Sequence, residues 1–184
     1  QPNASKTEIN DKRKELAEKL KPIKENAEAR SLFNKKLDDL NNKLLNDGRI
    51  NKYVSPDEKK TVQQTVDQVK KWLASNPDAT KEQLEEQKQQ LKDKTDPINR
   101  LARARRDLDQ FANEVADRVQ DEDGNLKHLS PEEKKALLDI TRELNDHVAT
   151  YPAPLEEIAR KKEDAKRRMA PILAQNQKRA QIQQ

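Results

Sequence analysis

Apolar residues recur along this chain at steps of three, four and seven. Ile9, Leu16 and Leu20 run up to a Pro22-Ile23 pair, Phe33, Leu40 and Leu44 follow it, and Val62, Val66, Val69 and Leu73 make a further run. This spacing puts one apolar seam on each of a series of amphipathic helices and leaves the other faces to charged side chains. Helices are the only regular structure the pattern supports.

The pattern also repeats. Ser55-Pro56-Asp57-Glu58-Lys59-Lys60 returns 75 positions later as Ser130-Pro131-Glu132-Glu133-Lys134-Lys135, and Pro22-Ile23 returns as Pro97-Ile98 and Pro171-Ile172. Gln1-Pro2-Asn3-Ala4-Ser5 aligns with Asn76-Pro77-Asp78-Ala79-Thr80, so two units, 1–75 and 76–150, are followed by part of a third. Such a chain reads as a piece of a longer array or as a protein with uneven ends. Leu84 and Ile158 stand where Ile9 stands, Leu91 and Ala165 where Leu16 stands, and Leu108, Val115 and Val119 where Phe33, Leu40 and Leu44 stand. A period of this size is the mark of a repeat architecture, in which each unit buries its seam against its neighbours.

Each unit carries the same punctuation. Ser55 and Ser130 can accept from free amides of a first helical turn, Pro56 and Pro131 suit the first helical position, and Glu58 and Glu133 complete capping boxes. Ser5 with Glu8 and Thr80 with Gln83 predict two further helix starts, while Ala153-Pro154 leaves the third copy without a cap. Gly48 and Gly124, each after an Asp, are expected to mark helix ends before connecting loops. No turn signal follows Pro22, Pro97 or Pro171, so each is expected to kink a continuous helix. The segment from Thr80 to about Gln120 is then one helix of about 60 Å.

The predicted fold is all-α: tandem three-helix bundles joined by a long shared helix, in a spectrin-like, elongated arrangement. Residues 1–22 form the orphan helix of a preceding repeat, 23–97 the first bundle, 98–172 the second, and 173–184 a helical extension.

Composition narrows the function classes. Hydrophobic content of 32%, charged content of 39% and 2 Gly suit long helices wetted on one side better than one large enzyme core. The net charge of +4 is spread as mixed signs, with no basic tract. Neither a transmembrane span nor a signal peptide is seen. Cysteine is absent, which removes disulfides and thiolate sites and leaves the compartment open; the cytoplasm is the first reading and the endoplasmic-reticulum lumen the alternative.

No constellation of catalytic, metal or cofactor residues emerges. His128 and His147 lack a second ligand at helical spacing. Paired carboxylates such as Glu85 and Glu86 need a desolvating pocket to do acid–base work, and narrow bundles seldom supply one. Asp121-Glu122-Asp123-Gly124-Asn125 is read as a charged turn, not a calcium loop, because no bidentate glutamate follows. Arg100, Arg103, Arg105 and Arg106, with Lys161, Lys162, Lys166, Arg167 and Arg168, are the densest positive segments. Asp107, Asp109, Glu163 and Asp164 interleave with them and stacking aromatics are missing, so a solvated helix face is preferred to a nucleic-acid site. Trp72, near a helix end, plugs its bundle by the plain reading, and a partner contact is the sharper one. Asn3-Ala4-Ser5 fits a glycosylation sequon, although Ser5 already has a capping task.

One stretch resembles a known family. Gly48-Arg49-Ile50-Asn51 leading to Ser55-Pro56-Asp57-Glu58-Lys59, then Val69-Lys70-Lys71-Trp72-Leu73-Ala74-Ser75-Asn76, then Ala79 to Leu91 and Asp96-Pro97-Ile98, is similar in order and residue type to the carboxyl-terminal helical lid of the seventy-kilodalton heat-shock chaperones and their larger relatives. The second unit has His147 in place of the Trp and a Tyr151-Pro152-Ala153-Pro154 loop, and tandem lids are not that family's usual arrangement. The resemblance implies a helical fold connected with protein folding, the stress response or polypeptide binding, without ATPase activity. The partners expected are therefore proteins (a client, a co-chaperone or a neighbouring repeat), with no membrane and no small-molecule substrate. Ile9, Leu16, Leu20 and Trp72 are the candidate contacts. The alternative is a structural spacer or scaffold in a cytoskeletal or surface assembly.

Overall fold

A computed structural model describes residues 5–184. Asn3, of the sequon, lies outside the described residues. The described chain is all-α and contains no strand: α1 (Lys6–Asn41), a π-helical turn (Asn42–Asn46), α2 (Gly48–Asn51), α3 (Pro56–Ser75), α4 (Lys81–Gln120), α5 (Pro131–Ala149) and α6 (Leu155–Ile182).

The helices begin where side chains satisfy the first-turn amides. At α1 the Glu8 amide donates to Ser5 Oγ (3.2 Å) and the Ser5 amide to the Glu8 carboxylate (3.3 Å). The same reciprocal pair forms between Ser55 and Glu58 at α3, Thr80 and Gln83 at α4, and Ser130 and Glu133 at α5. Only the α6 start, at Pro154, has no side-chain cap. Pro22, Pro97 and Pro171 all lie inside unbroken helices, so α4 runs 40 residues through Pro97. Each proline removes one backbone hydrogen bond, a loss these helices absorb while the turns on either side stay paired.

The glycines do not stop helices. Gly48 opens α2 behind an Asp47 cap, Gly124 sits within the loop after α4, and neither takes left-handed backbone. A Cβ at 124 would lie 2.6 Å from the Asp121 carboxylate, an exposed side chain that would have to swing aside.

Two compact units are present. One comprises residues up to Lys43 together with Lys60–Thr95; the other comprises Leu44–Lys59 and Asp96–Gln184. The first is cored by Phe33, Leu37, Val62, Val66, Val69, Leu84 and Leu91. The second is cored by Leu44, Val54, Leu108, Ala112, Leu137, Leu144, Ile158 and Met169. Phe33, Leu44, Val62, Val66, Val69, Leu84, Leu91, Leu108, Leu137, Leu144 and Ile158 are seam positions that the step of three, four and seven selects, whereas Leu37, Ala112 and Met169 are additional helix positions, Val54 comes from the loop before α3, and Leu40 is only half-buried. Cross-helix polar contacts repeat at the period as well. Lys70 Nζ meets Asp38 Oδ1 at 3.2 Å in the first unit, and in the second the equivalent Asn145 donates to the equivalent Asn113 at 2.9 Å.

Candidate functional site

Among the described residues the most buried charged side chain is Arg105, on α4, at 1% exposure. Its guanidinium gathers groups from two loops and a helix start. Nη1 donates to the Tyr53 carbonyl (2.9 Å) and Glu58 Oε1 (2.6 Å), and Nη2 to Glu58 Oε2 (3.2 Å) and to the Tyr151 and Pro152 carbonyls (3.3 Å each). The Tyr151 ring lies over it, 5.5 Å from centroid to Cζ. Tyr151 has φ of 52° and is the only non-glycine with positive φ among the described residues. That left-handed backbone costs about 1–2 kcal/mol, offset here by the carbonyl and ring contacts with the cation. The forked planar cation suits this task because it serves a carboxylate bidentately and still reaches carbonyls.

Burial pushes the Glu58 carboxyl up, but the Arg105 bond and the Ser55 amide outweigh it and hold the group below its ordinary range. Beside it, the Tyr53 hydroxyl donates to Asp109 at 2.7 Å, and burial together with that carboxylate raises its pKa.

The same arginine stands eight residues after the proline in all three copies, as Arg30, Arg105 and Arg179. Arg179, on α6, reproduces one half of the junction: Nη1 donates to the His128 carbonyl (3.0 Å) and Glu133 (2.7 Å), and Nη2 to Glu133 (2.8 Å). His128 and Glu133 are the period equivalents of Tyr53 and Glu58. Arg30, on α1, reproduces the other half, donating to the Asn76 (2.7 Å), Pro77 (3.3 Å) and Leu73 carbonyls. Asn76 and Pro77 are the equivalents of Tyr151 and Pro152. Only Arg105 makes the complete set.

Arg105 is thus not part of a solvated basic face, as its charged neighbours suggest in sequence. The signal that separates it from Arg103 and Arg106 is its fixed place after each proline. The other cations conform better to that reading. Arg168 forks onto Glu143, and Lys166 and Arg167 pair with Glu163 and Asp164 one turn away.

The remaining candidates are dispersed. Ile9, Leu16 and Leu20 lie exposed along the first half of α1, and Trp72 is half-buried near the end of α3. His128 lies in the loop before α5. His147, on α5, has its Nε2 buried without a hydrogen-bond partner; burial, then Lys161, lowers its pKa, against an upward pull from Glu157. Among the described residues no group of three or more His, Cys, Asp or Glu side chains is placed to hold a metal ion. Asp121 accepts from the Asp123 amide at 3.1 Å in a tight charged turn. A hollow of about 410 Å³ in the second unit is lined by Ile140, Glu143, Lys161 and Arg168 among others. No described helix is long and apolar enough to cross a membrane.

No family model matches this sequence, and no solved structure matches the chain. The likeness to the chaperone lid therefore rests on the sequence motifs between Gly48 and Ile98.

Proposed function

We propose that this chain is a non-catalytic helical-repeat protein that works by protein–protein contact, with its units serving as a scaffold or spacer of tandem three-helix bundles. The observation that carries the reading is the recurrence of the arginine junction. An arginine at one fixed place after each proline, which engages a capping-box glutamate in two copies and the loop carbonyls of the next helix end in two, with Arg105 making both sets, supports a role in holding successive repeats in register. A one-off lid has no need for parts of it in three copies.

A second reading is favoured by a different observation, the exposed stripe of Ile9, Leu16 and Leu20. On that reading the chain is a lid-like chaperone module that binds unfolded clients or a co-chaperone through the stripe, in keeping with the sequence resemblance. Light scattering of a heat-unfolding client protein separates the two. The scaffold reading expects no change in aggregation when the chain is added in equimolar amount; suppression that disappears in the Leu16→Asp, Leu20→Asp variant would replace it with the lid reading.

A further inference from the structure

The stripe on the first half of α1 has two internal counterparts, and both are covered. Leu16 and Leu20 are 58% and 57% exposed, whereas Leu91 and Thr95, one period on, are 1% and 2% exposed, and Ala165 and Met169 in the third copy are 2% each. Ile23 is 66% exposed and its counterpart Ile98 only 7%. The same helix face, built from the same positions, is therefore satisfied twice and left open once.

The polar groups repeat this asymmetry. Arg30 holds the carbonyls of Asn76 and Pro77 as Arg105 holds those of Tyr151 and Pro152. Among the described residues, however, Arg30 has no counterpart of the Tyr53 carbonyl or the Glu58 carboxylate. Instead a groove of about 380 Å³ opens beside it, lined by Pro22, Ile23, Asn26, Ala27, Pro77 and Asp78. Ile98 and Ala102, the counterparts of Ile23 and Ala27, are buried. Arg30 thus lacks the capping-box carboxylate that Arg105 and Arg179 each hold, beside a groove whose walls include Pro22, Ile23 and Ala27 and in which Asp78 is the one carboxylate.

We infer that the face of α1 from Ile9 to Arg30 seats another unit of this same repeat, placed in the register that continues the chain backwards by one period. The amphipathic helices of that unit cover Ile9, Leu16, Leu20 and Ile23, and its Ser-x-x-Glu helix start gives Arg30 the carboxylate and loop carbonyl that Glu58 and Tyr53 give Arg105. The inference rests on the scaffold reading and adds to it the identity of the partner.

The test extends the full chain. A copy of residues 23–79 joined directly ahead of Ser5 keeps the repeat in phase, and a second extension made from residues 98–153, which stops one residue before the α6 cap Pro154, guards against an appended segment that does not fold. Amide hydrogen exchange of residues 6–22 is expected to slow by roughly tenfold or more in the extended chain. Part of that protection is expected to vanish when the appended equivalent of Glu58 becomes Gln, or with Arg30→Ala. Unchanged exchange in both extended chains overturns the inference. So does a dimer of the unextended chain, seen by sedimentation equilibrium, that Leu16→Asp with Leu20→Asp dissociates, since the occupant is then a second copy. Neither result alters the client-aggregation readout, so the two readings fail separately.

Discussion

Arg105 Nη1 lies 2.6 Å from Glu58 Oε1, across 47 residues of chain, in a pair of which the arginine is 1% and the glutamate 18% exposed at the side chain. Glu58 is at once the third residue of a capping box and the anion of a buried ion pair. One carboxylate thereby ties the start of α3 to the middle of α4.

Removing one member of such a pair leaves the other buried and uncompensated, and that loss outweighs the gain of removing a costly buried charge. Arg105→Ala is expected to destabilise the second unit by about 3–5 kcal/mol, read by urea denaturation. Arg179→Ala, at a junction whose arginine is 40% exposed, is expected to cost clearly less. Combining Arg105→Ala with Glu58→Gln should cost less than the sum of the single changes, because the two groups share one interaction.

The pKa shifts set the sign of the pH dependence. His147 is lowered in the folded chain, so the unfolded state binds more protons below about pH 6.5. Its contribution is intact above that pH and is lost as pH falls through the lowered folded value. Glu58 is also lowered, so its contribution is intact above its ordinary 4.5 and is lost at still lower pH. Thermal melts of the wild type are expected to decline in two stages on acidification, and His147→Leu should flatten the first stage while leaving the second.

Neighbouring residues on α1 should respond in opposite ways to truncation. Phe33 is fully buried and Leu32 is 66% exposed. Phe33→Ala is expected to cost about 3–5 kcal/mol from lost transfer energy plus a cavity, and Leu32→Ala no more than about 0.5 kcal/mol. Equal effects would show that the seam on this helix is in the wrong register.

Ser130→Ala removes the acceptor for the Glu133 amide and one side of the α5 capping box. The expected loss is about 1 kcal/mol, measurable as a shift in the denaturation midpoint of the second unit. Ser130→Asp, which restores a capping oxygen, should recover most of it.

Much of this protein is written locally. Helix starts at Ser5, Ser55, Thr80 and Ser130 depend on side chains reaching amides three residues away, and the seam of Val62, Val66, Val69 and Leu73 depends on a period within one helix, so composition and spacing along the chain determined both. The 75-residue recurrence came from the sequence too, since it needs only comparison of the chain with itself. What Arg105 does could not be had that way. Its fixed place after each proline sets it apart from Arg103 and Arg106, but its burial arises only when Tyr53, Glu58, Tyr151 and Pro152, distant in sequence, converge on one guanidinium. The contrast between exposed Leu16 and covered Leu91 is likewise tertiary, because identical side chains at equivalent positions differ only in what is packed against them.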